Sequence, residues 1–255
     1  MNPLLELSHV SYSYHEVGGE TLALSDISFS LESGSFLAIV GPSGCGKSTL
    51  LSLICGLLEA EEGTISFLGK SLKEAGANIG YMLQKDHLFE WRTVYSNVTL
   101  GLEIQKKLTP KHLSSVDAML ETYGLSSFRD ARPSQLSGGM RQRAALIRTL
   151  ALEPDLLLLD EPFSALDYQT RLSVCDDIAA IIKREEKTAI LVTHDLSEAI
   201  SMADQVLVLS RRPGRVQRLL PISFAMENRT PMRCRNAPEF KDYFNLIWKE
   251  LNTSG

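Results

Sequence analysis

A glycine-rich loop, Gly41-Pro42-Ser43-Gly44-Cys45-Gly46-Lys47-Ser48-Thr49, lies between an apolar run, Ser35–Val40, and a stretch of helical apolar spacing, Thr49–Leu58. Strand, G-x-x-x-x-G-K-[ST] loop and helix in that order constrain the fold more than any other feature of the chain. A run as short and apolar as Phe36–Val40, bounded by glycines, reads as a buried strand of a parallel sheet. Glycines at 41, 44 and 46 let backbone N–H groups turn inward with no side chain in the way. The helix that follows aims its partly positive N-terminus at the same point. Lys47 supplies a point charge for β- and γ-phosphates, and the Ser48 hydroxyl suits Mg2+. Pro42, Ser43, Cys45 and Thr49 complete the loop, with Cys45 read as filler rather than chemistry.

The rest of the chain alternates around that unit. Leu4–Tyr14 has strand-like alternation, Gly18-Gly19 breaks it, and Leu22–Leu31 returns, so the chain opens with a hairpin. From about Asp86 to Pro133 the sequence is polar and helix-periodic, as in Lys111–Tyr123 between Pro110 and Gly124. Strand character resumes at Leu156–Asp160, followed by a helix (Tyr168–Glu185), a strand (Thr188–Thr193), a helix (Leu196–Ala203) and a strand (Gln205–Ser210). That alternation implies an α/β core. The expected division is one α/β domain over 1–220, with its core at about 1–85 and 155–220 and a helical insert at about 86–154. A tail over 221–255 carries one amphipathic helix, Pro238–Leu251.

Polar groups recur at the ends of the apolar strands. Leu159-Asp160-Glu161-Pro162 puts two carboxylates at the carboxyl end of a buried strand, where open parallel sheets bind ligands. An isolated Asp-Glu pair is ordinarily a solvated turn; behind an apolar strand and a phosphate loop, Asp160 suits Mg2+ and Glu161 suits the attacking water. His194, in Leu191-Val-Thr-His194-Asp195, ends another strand and suits a hydrogen bond to the γ-phosphate or water. Gln84 ends a third strand-like run, and its amide can bind Mg2+ or water at one end and donate at the other. Leu136-Ser137-Gly138-Gly139 opens a further helix with Ser137 as N-cap and exposed N–H groups behind it. The chain therefore has a second anion-binding helix start, beyond the one that holding a nucleotide requires.

Composition limits the context. A formal net charge of -5 argues against nucleic acid as a partner bound through a broad basic face. The start of the chain lacks the pattern of a secretory signal, and no window has the roughly 18 consecutive apolar residues of a membrane span. Cys45, Cys55, Cys175 and Cys234 form no metal-binding spacing and read as free thiols.

The phosphate loop, Gln84, Leu136-Ser-Gly-Gly, Asp160-Glu161, Ser164-Ala-Leu-Asp167 and His194, in that order, resemble the ATP-binding-cassette (ABC) family over roughly residues 4–220. The resemblance implies an α/β P-loop NTPase with a RecA-like core, an N-terminal antiparallel β subdomain and an inserted α-helical subdomain. It implies ATP and Mg2+ as ligands, with Glu161, His194 and Gln84 catalytic and Ser48, Gln84 and Asp160 on the metal. It also implies a head-to-tail homodimer in which Ser137, Gly138 and Gly139 of one subunit close on the nucleotide held by the other. Asp167 would sit near the dimer axis, and Tyr14 resembles the aromatic that stacks on adenine. The segments Gln84–Val94, Gly138–Arg143 and Asp204–Arg215 are similar to importers for nitrate, aliphatic sulfonates and taurine, except that Glu90 stands where that branch typically has proline. For such an importer the resemblance implies a separate transmembrane permease, an indirect solute-binding protein and a site on the cytoplasmic face of the membrane. Two other readings compete with it: a soluble ABC ATPase outside transport, and a P-loop kinase or GTPase. The chain has no Asn-Lys-x-Asp guanine reader, and Leu-Ser-Gly-Gly has no role in that last class.

Overall fold

The computed structural model describes residues 3–16 and 18–252. Two sheets organise the chain. An antiparallel sheet is built from β1 (Leu5–Glu16), β2 (Gly19–Leu31), β4 (Glu62–Phe67) and β5 (Lys70–Ser71) in the order β2-β1-β4-β5. The expected opening hairpin is its β1–β2 pair, joined in register from Leu5↔Leu31 to Glu16↔Gly19. A second sheet joins β3 (Phe36–Val40), β6 (Ile79–Met82), β7 (Leu156–Asp160), β8 (Thr188–Val192), β9 (Gln205–Leu209) and β10 (Val216–Pro221), in the order β10-β9-β3-β8-β7-β6. Four parallel pairings join β9, β3, β8, β7 and β6, while β10 closes the edge antiparallel to β9.

The apolar runs read from sequence are the buried centre of that sheet: every residue of β3 and β8 is buried, as are Leu156–Leu159 of β7. Period-two alternation splits them between two cores. Leu37, Ile39, Leu156, Leu158, Ile190 and Val192 face α1 (Lys47–Ile54) and the antiparallel sheet. Ala38, Val40, Leu157, Leu159, Ala189 and Leu191 face the helical side of the molecule. The helices after α1 are α2 (Leu72–Ala75), α3 (Val94–Val98), α4 (Leu100–Ile104), α5 (Pro110–Thr122), α6 (Gly138–Leu150), α7 (Tyr168–Arg184), α8 (Leu196–Met202), α9 (Pro231–Arg235) and α10 (Pro238–Asn252). Helices α3 to α6 follow one another without an intervening strand, as the polar periodicity from residue 86 onward implied.

The register brings the functional strand ends to one edge. Ile39 pairs with Val192, Val192 with Asp160, and Leu159 with Met82. The loops leaving β3, β8, β7 and β6 therefore emerge side by side, carrying the phosphate loop, His194, Glu161 and Gln84.

The tail is more structured than a single helix: α9 precedes α10, and Ile247 of α10 is fully buried in the helical-side core. Among the described residues no helix is long and apolar enough to cross a membrane.

Candidate active site

Gly46 caps α1 with φ 106°, a left-handed backbone that disfavours side chains. A Cβ there would also lie 2.7 Å from Leu24 Cδ2 and 3.0 Å from the Ala23 carbonyl oxygen. Glycine at this point satisfies both the turn into the helix and the close approach of β2. The result is a cleft of about 400 Å3 lined by Ser43, Gly44, Gly46, Lys47, Ser48, Thr49, Glu161, His194 and Arg212. Lys47 is buried in it, and its Nζ donates to the carbonyls of Gly41 (2.8 Å) and Pro42 (3.0 Å). These neutral acceptors hold the ammonium beneath the loop.

Two oxygens approach one another at the floor. Ser48 Oγ donates to Asp160 Oδ1 at 3.4 Å, and the Tyr81 hydroxyl donates to Asp160 Oδ2 at 3.2 Å. Burial pushes the Asp160 carboxyl above its ordinary value; the Tyr81 and Ser48 hydroxyls and Lys47 oppose the rise, while Glu161 adds to it. A half-buried carboxylate beside a serine hydroxyl is a hard oxygen donor set of the kind that suits Mg2+. Cys45 also titrates high because it is buried, so its thiol keeps its proton and behaves as packing.

The three residues expected to be catalytic converge on one another. Gln84 Nε2 donates to Glu161 Oε2 at 3.2 Å, and His194 Nδ1 lies 3.2 Å from the same oxygen. Glu161 itself has φ 44°, a strained conformation for a residue with a side chain, and its N–H donates to the Val192 carbonyl at 2.8 Å. Ser164 reaches the cluster as well, accepting from Gln84 at 3.5 Å and donating to the Glu161 carbonyl at 3.0 Å.

Ser137, Gly138, Gly139 and Asp167 do not line this cleft. Ser137 accepts from the Met140 N–H at 3.3 Å as the N-cap of α6, and Asp167 accepts from the Thr170 N–H at 3.0 Å as the N-cap of α7. The two helix starts adjoin: a Cβ at Gly138 would fall 2.9 Å from Leu166 Cδ2. Tyr14 stands between the expectations. It lies outside the cleft lining, yet its hydroxyl is 3.0 Å from Thr49 Oγ1.

Several participants carry no motif signal. Tyr81 and Arg212 are visible only once register brings them to Asp160 and Gly44. Arg171 of α7 donates to the Leu166 carbonyl at 3.0 Å and lies 3.6 Å from Asp195 and 3.9 Å from Glu198, bridging the Asp167 loop to the His194 loop. Arg141, in the first turn of α6, pairs with Asp86 (2.9 Å) and Glu90 (2.8 Å), both just beyond Gln84. Glu90 thus has an ionic partner that proline could not provide. A larger cavity, about 820 Å3, opens between α7, α8 and the segment before α9, but none of the expected site residues lines it.

The family model for the ABC transporter matches residues 24–164, spanning the phosphate loop, the Ser137 helix start and Asp160-Glu161. The chain belongs to the ABC transporter family. As an ABC ATPase it resembles named relatives along nearly its full length. It is 39% identical over 235 residues to an aliphatic sulfonates import ATP-binding protein of Bacillus licheniformis, covering 92% of this chain and 89% of that one. A nitrate import ATP-binding protein of Synechocystis is 39% identical over 247 residues, covering 95% and 93% of the two chains. A taurine import ATP-binding protein of Shigella sonnei is 42% identical over 222 residues, covering 87% and 86%. Among solved structures, a dimeric ATP-binding cassette in a post-hydrolysis state with ADP and Pi superposes with a TM-score of 0.72 at 27% identity, over 86% of this chain and 99% of that one. A Clostridium perfringens protein described as part of an ABC transporter complex gives 0.77 at 27% identity, over 98% of both chains.

Proposed function

We propose that this ABC ATPase is the motor subunit of an importer, driving a separate transmembrane permease for nitrate, an aliphatic sulfonate, taurine or a related small solute. The observation that carries the reading is the division of polar groups: Lys47, Glu161 and His194 share one cleft, while the capped helix start at Ser137 lies outside it. A second anion-binding helix start has a purpose when it closes on the cleft of another copy. On this reading two chains associate head to tail, with Ser137–Gly139 of each over the phosphates held by the other and Asp167 near the axis.

Within each half-site Lys47 leaves the carbonyls of Gly41 and Pro42 for the more strongly charged phosphate oxygens. Glu161 orients and deprotonates the attacking water, with His194 and Gln84 holding its carboxylate and the γ-phosphate in line. Ser48 and Asp160, with Gln84 as a further ligand, would hold Mg2+, which when bound would neutralise charge on the phosphates. Tyr14 stacks on adenine, placed beside the loop by its bond to Thr49. The core at 1–85 and 155–220 holds nucleotide, and the insert at 86–154 carries the motion outward.

Trp91, 71% exposed and packed against Phe89 with ring centroids 4.7 Å apart and the planes tilted by 38°, stands just beyond Gln84 and suits the permease contact. An exposed tryptophan of this kind is a typical anchor of a protein interface. The permease holds the subunit at the cytoplasmic face of the membrane, and the solute-binding protein acts only through that permease, with no nucleic acid involved. Affinity purification from detergent-solubilised membranes tests this: an integral membrane protein should copurify in stoichiometric amount. Trp91→Ala should lose that partner and transport while keeping basal ATPase. Purification of the wild-type chain without any membrane partner would favour the soluble ABC ATPase instead.

A further inference from the structure

The turn from β9 to β10, residues 210–215, is fastened against the phosphate loop. β9 flanks β3 on the side opposite β8, so this turn leaves the sheet beside Gly41. Gly214 N–H donates to the Ala23 carbonyl and the Ser25 N–H donates to the Gly214 carbonyl, both at 2.9 Å. Ser210 closes the turn on itself: its N–H donates to the Arg215 carbonyl, its Oγ accepts from the Arg215 N–H, both at 2.9 Å, and its hydroxyl reaches the Pro213 carbonyl at 3.0 Å. A Cβ at Gly214 would lie 2.2 Å from the Cys45 carbonyl oxygen, so turn and loop meet backbone to backbone.

That fixed turn carries Arg212 into the cleft with Lys47, Ser48, Glu161 and His194. Arg212 Nε donates to the Gly44 carbonyl at 3.1 Å. Among the described residues no carboxylate pairs with its guanidinium. Five N–H donors with one neutral acceptor, in a cleft already built for anions, are matched to phosphate oxygens. Like Lys47, Arg212 rests on a carbonyl of the loop, an acceptor that a phosphate displaces.

We propose that Arg212 is a phosphate ligand of the bound nucleotide, a second cation supplied beside Lys47 by the β9–β10 turn. The inference rests on the reading of this cleft as the nucleotide site. It assigns the turn a role in holding nucleoside di- and triphosphates, and it makes affinity depend on a residue more than 160 positions from the loop it serves.

Equilibrium binding of ATP to the full chain, measured in EDTA so that turnover stops, tests it with Arg212→Gln, Arg212→Lys and Lys47→Ala. Glutamine retains an N–H for the Gly44 carbonyl but no charge; lysine retains the charge. Arg212→Gln should raise the ATP Kd by about ten-fold or more, the weight of one charge-assisted hydrogen bond. Arg212→Lys should lose less, and the dependence of log Kd on log salt should be shallower in the glutamine variant than in wild type. Thermal melts identify any variant that is misfolded, and the lysine variant then carries the comparison: a wild-type Kd and salt slope for a folded Arg212→Lys supports the charge. Wild-type affinity in Arg212→Gln, or equal loss in both arginine variants with an unchanged salt slope, overturns the inference. Wild-type affinity in Lys47→Ala overturns instead the reading of the cleft itself.

Discussion

Glu198 should make this protein less stable as pH rises through the mildly acidic range. It lies in the first turn of α8, 3% exposed, beneath the strand end that carries His194. Its pKa is raised from 4.5 to about 7, chiefly by burial and further by Asp195, against the opposing effects of the Thr193 hydroxyl, Arg171 and His194. Thr193 Oγ1 donates to Glu198 Oε2 at 2.5 Å, while Arg171 Nε stands 3.9 Å away, too far for a hydrogen bond that would compensate the buried charge. Unfolded chains lose this proton near pH 4.5 and folded ones near pH 7. Between those values the folded state binds more protons, so stability contributed by this group is full below pH 4.5 and is lost as pH rises to 7. At about 1.4 kcal/mol per pKa unit the span is roughly 3 kcal/mol. Glu198→Gln accepts the same Thr193 hydrogen bond and does not titrate. Urea unfolding of both proteins from pH 4.5 to pH 8 should show the variant gaining stability relative to wild type by roughly 3 kcal/mol across that range. A difference that stays constant with pH would refute the buried, inadequately paired carboxylate on which the reasoning depends.

Gly214→Ala forces a Cβ against the Cys45 carbonyl, 2.2 Å away in the present geometry, so either the turn or the phosphate loop must shift. It should cost about 1–3 kcal/mol in chemical denaturation and weaken ATP binding in the same protein. Ser137→Asp keeps a side-chain oxygen for the Met140 N–H but adds a negative charge at the face proposed to meet the other subunit's phosphates. The monomer should melt within about 1 kcal/mol of wild type and still bind ATP, yet ATP should no longer drive dimerisation in light scattering. Unimpaired dimerisation would remove Ser137 from the proposed half-site.

Much of this architecture is legible in sequence because its signals are local. The phosphate loop, the buried strands ending in Asp160 and Val192, and the cap at Ser137 each declare themselves within ten residues of chain. The edges do not. β10 reads Val216-Gln-Arg-Leu-Leu-Pro221 and buries Leu220 alone, while β4 buries only Phe67, so neither shows the apolar run that marks a central strand. Helix α9 has five residues, too few for a periodic pattern, which is why the tail reads as one helix rather than two. The site was legible in its strand-end residues but not in its supports. Tyr81 with Asp160, Arg141 with Asp86, and Arg212 with Gly44 are separated by 79, 55 and 168 residues. Such contacts are set by sheet register and helix docking, which no local pattern encodes.

The central claim is that each chain holds half of two working ATP sites and that Glu161 turns them over. Glu161→Gln preserves the side chain's shape and its contact with Gln84 while removing the base. Turnover and mass should be measured on this variant with ATP and Mg2+, by phosphate release and by size-exclusion chromatography with light scattering. The account predicts ATP binding at wild-type affinity, phosphate release lowered by about a hundred-fold or more, and a stable dimer that wild type forms only transiently. Near-normal phosphate release, or a variant that stays monomeric with saturating ATP, would contradict it.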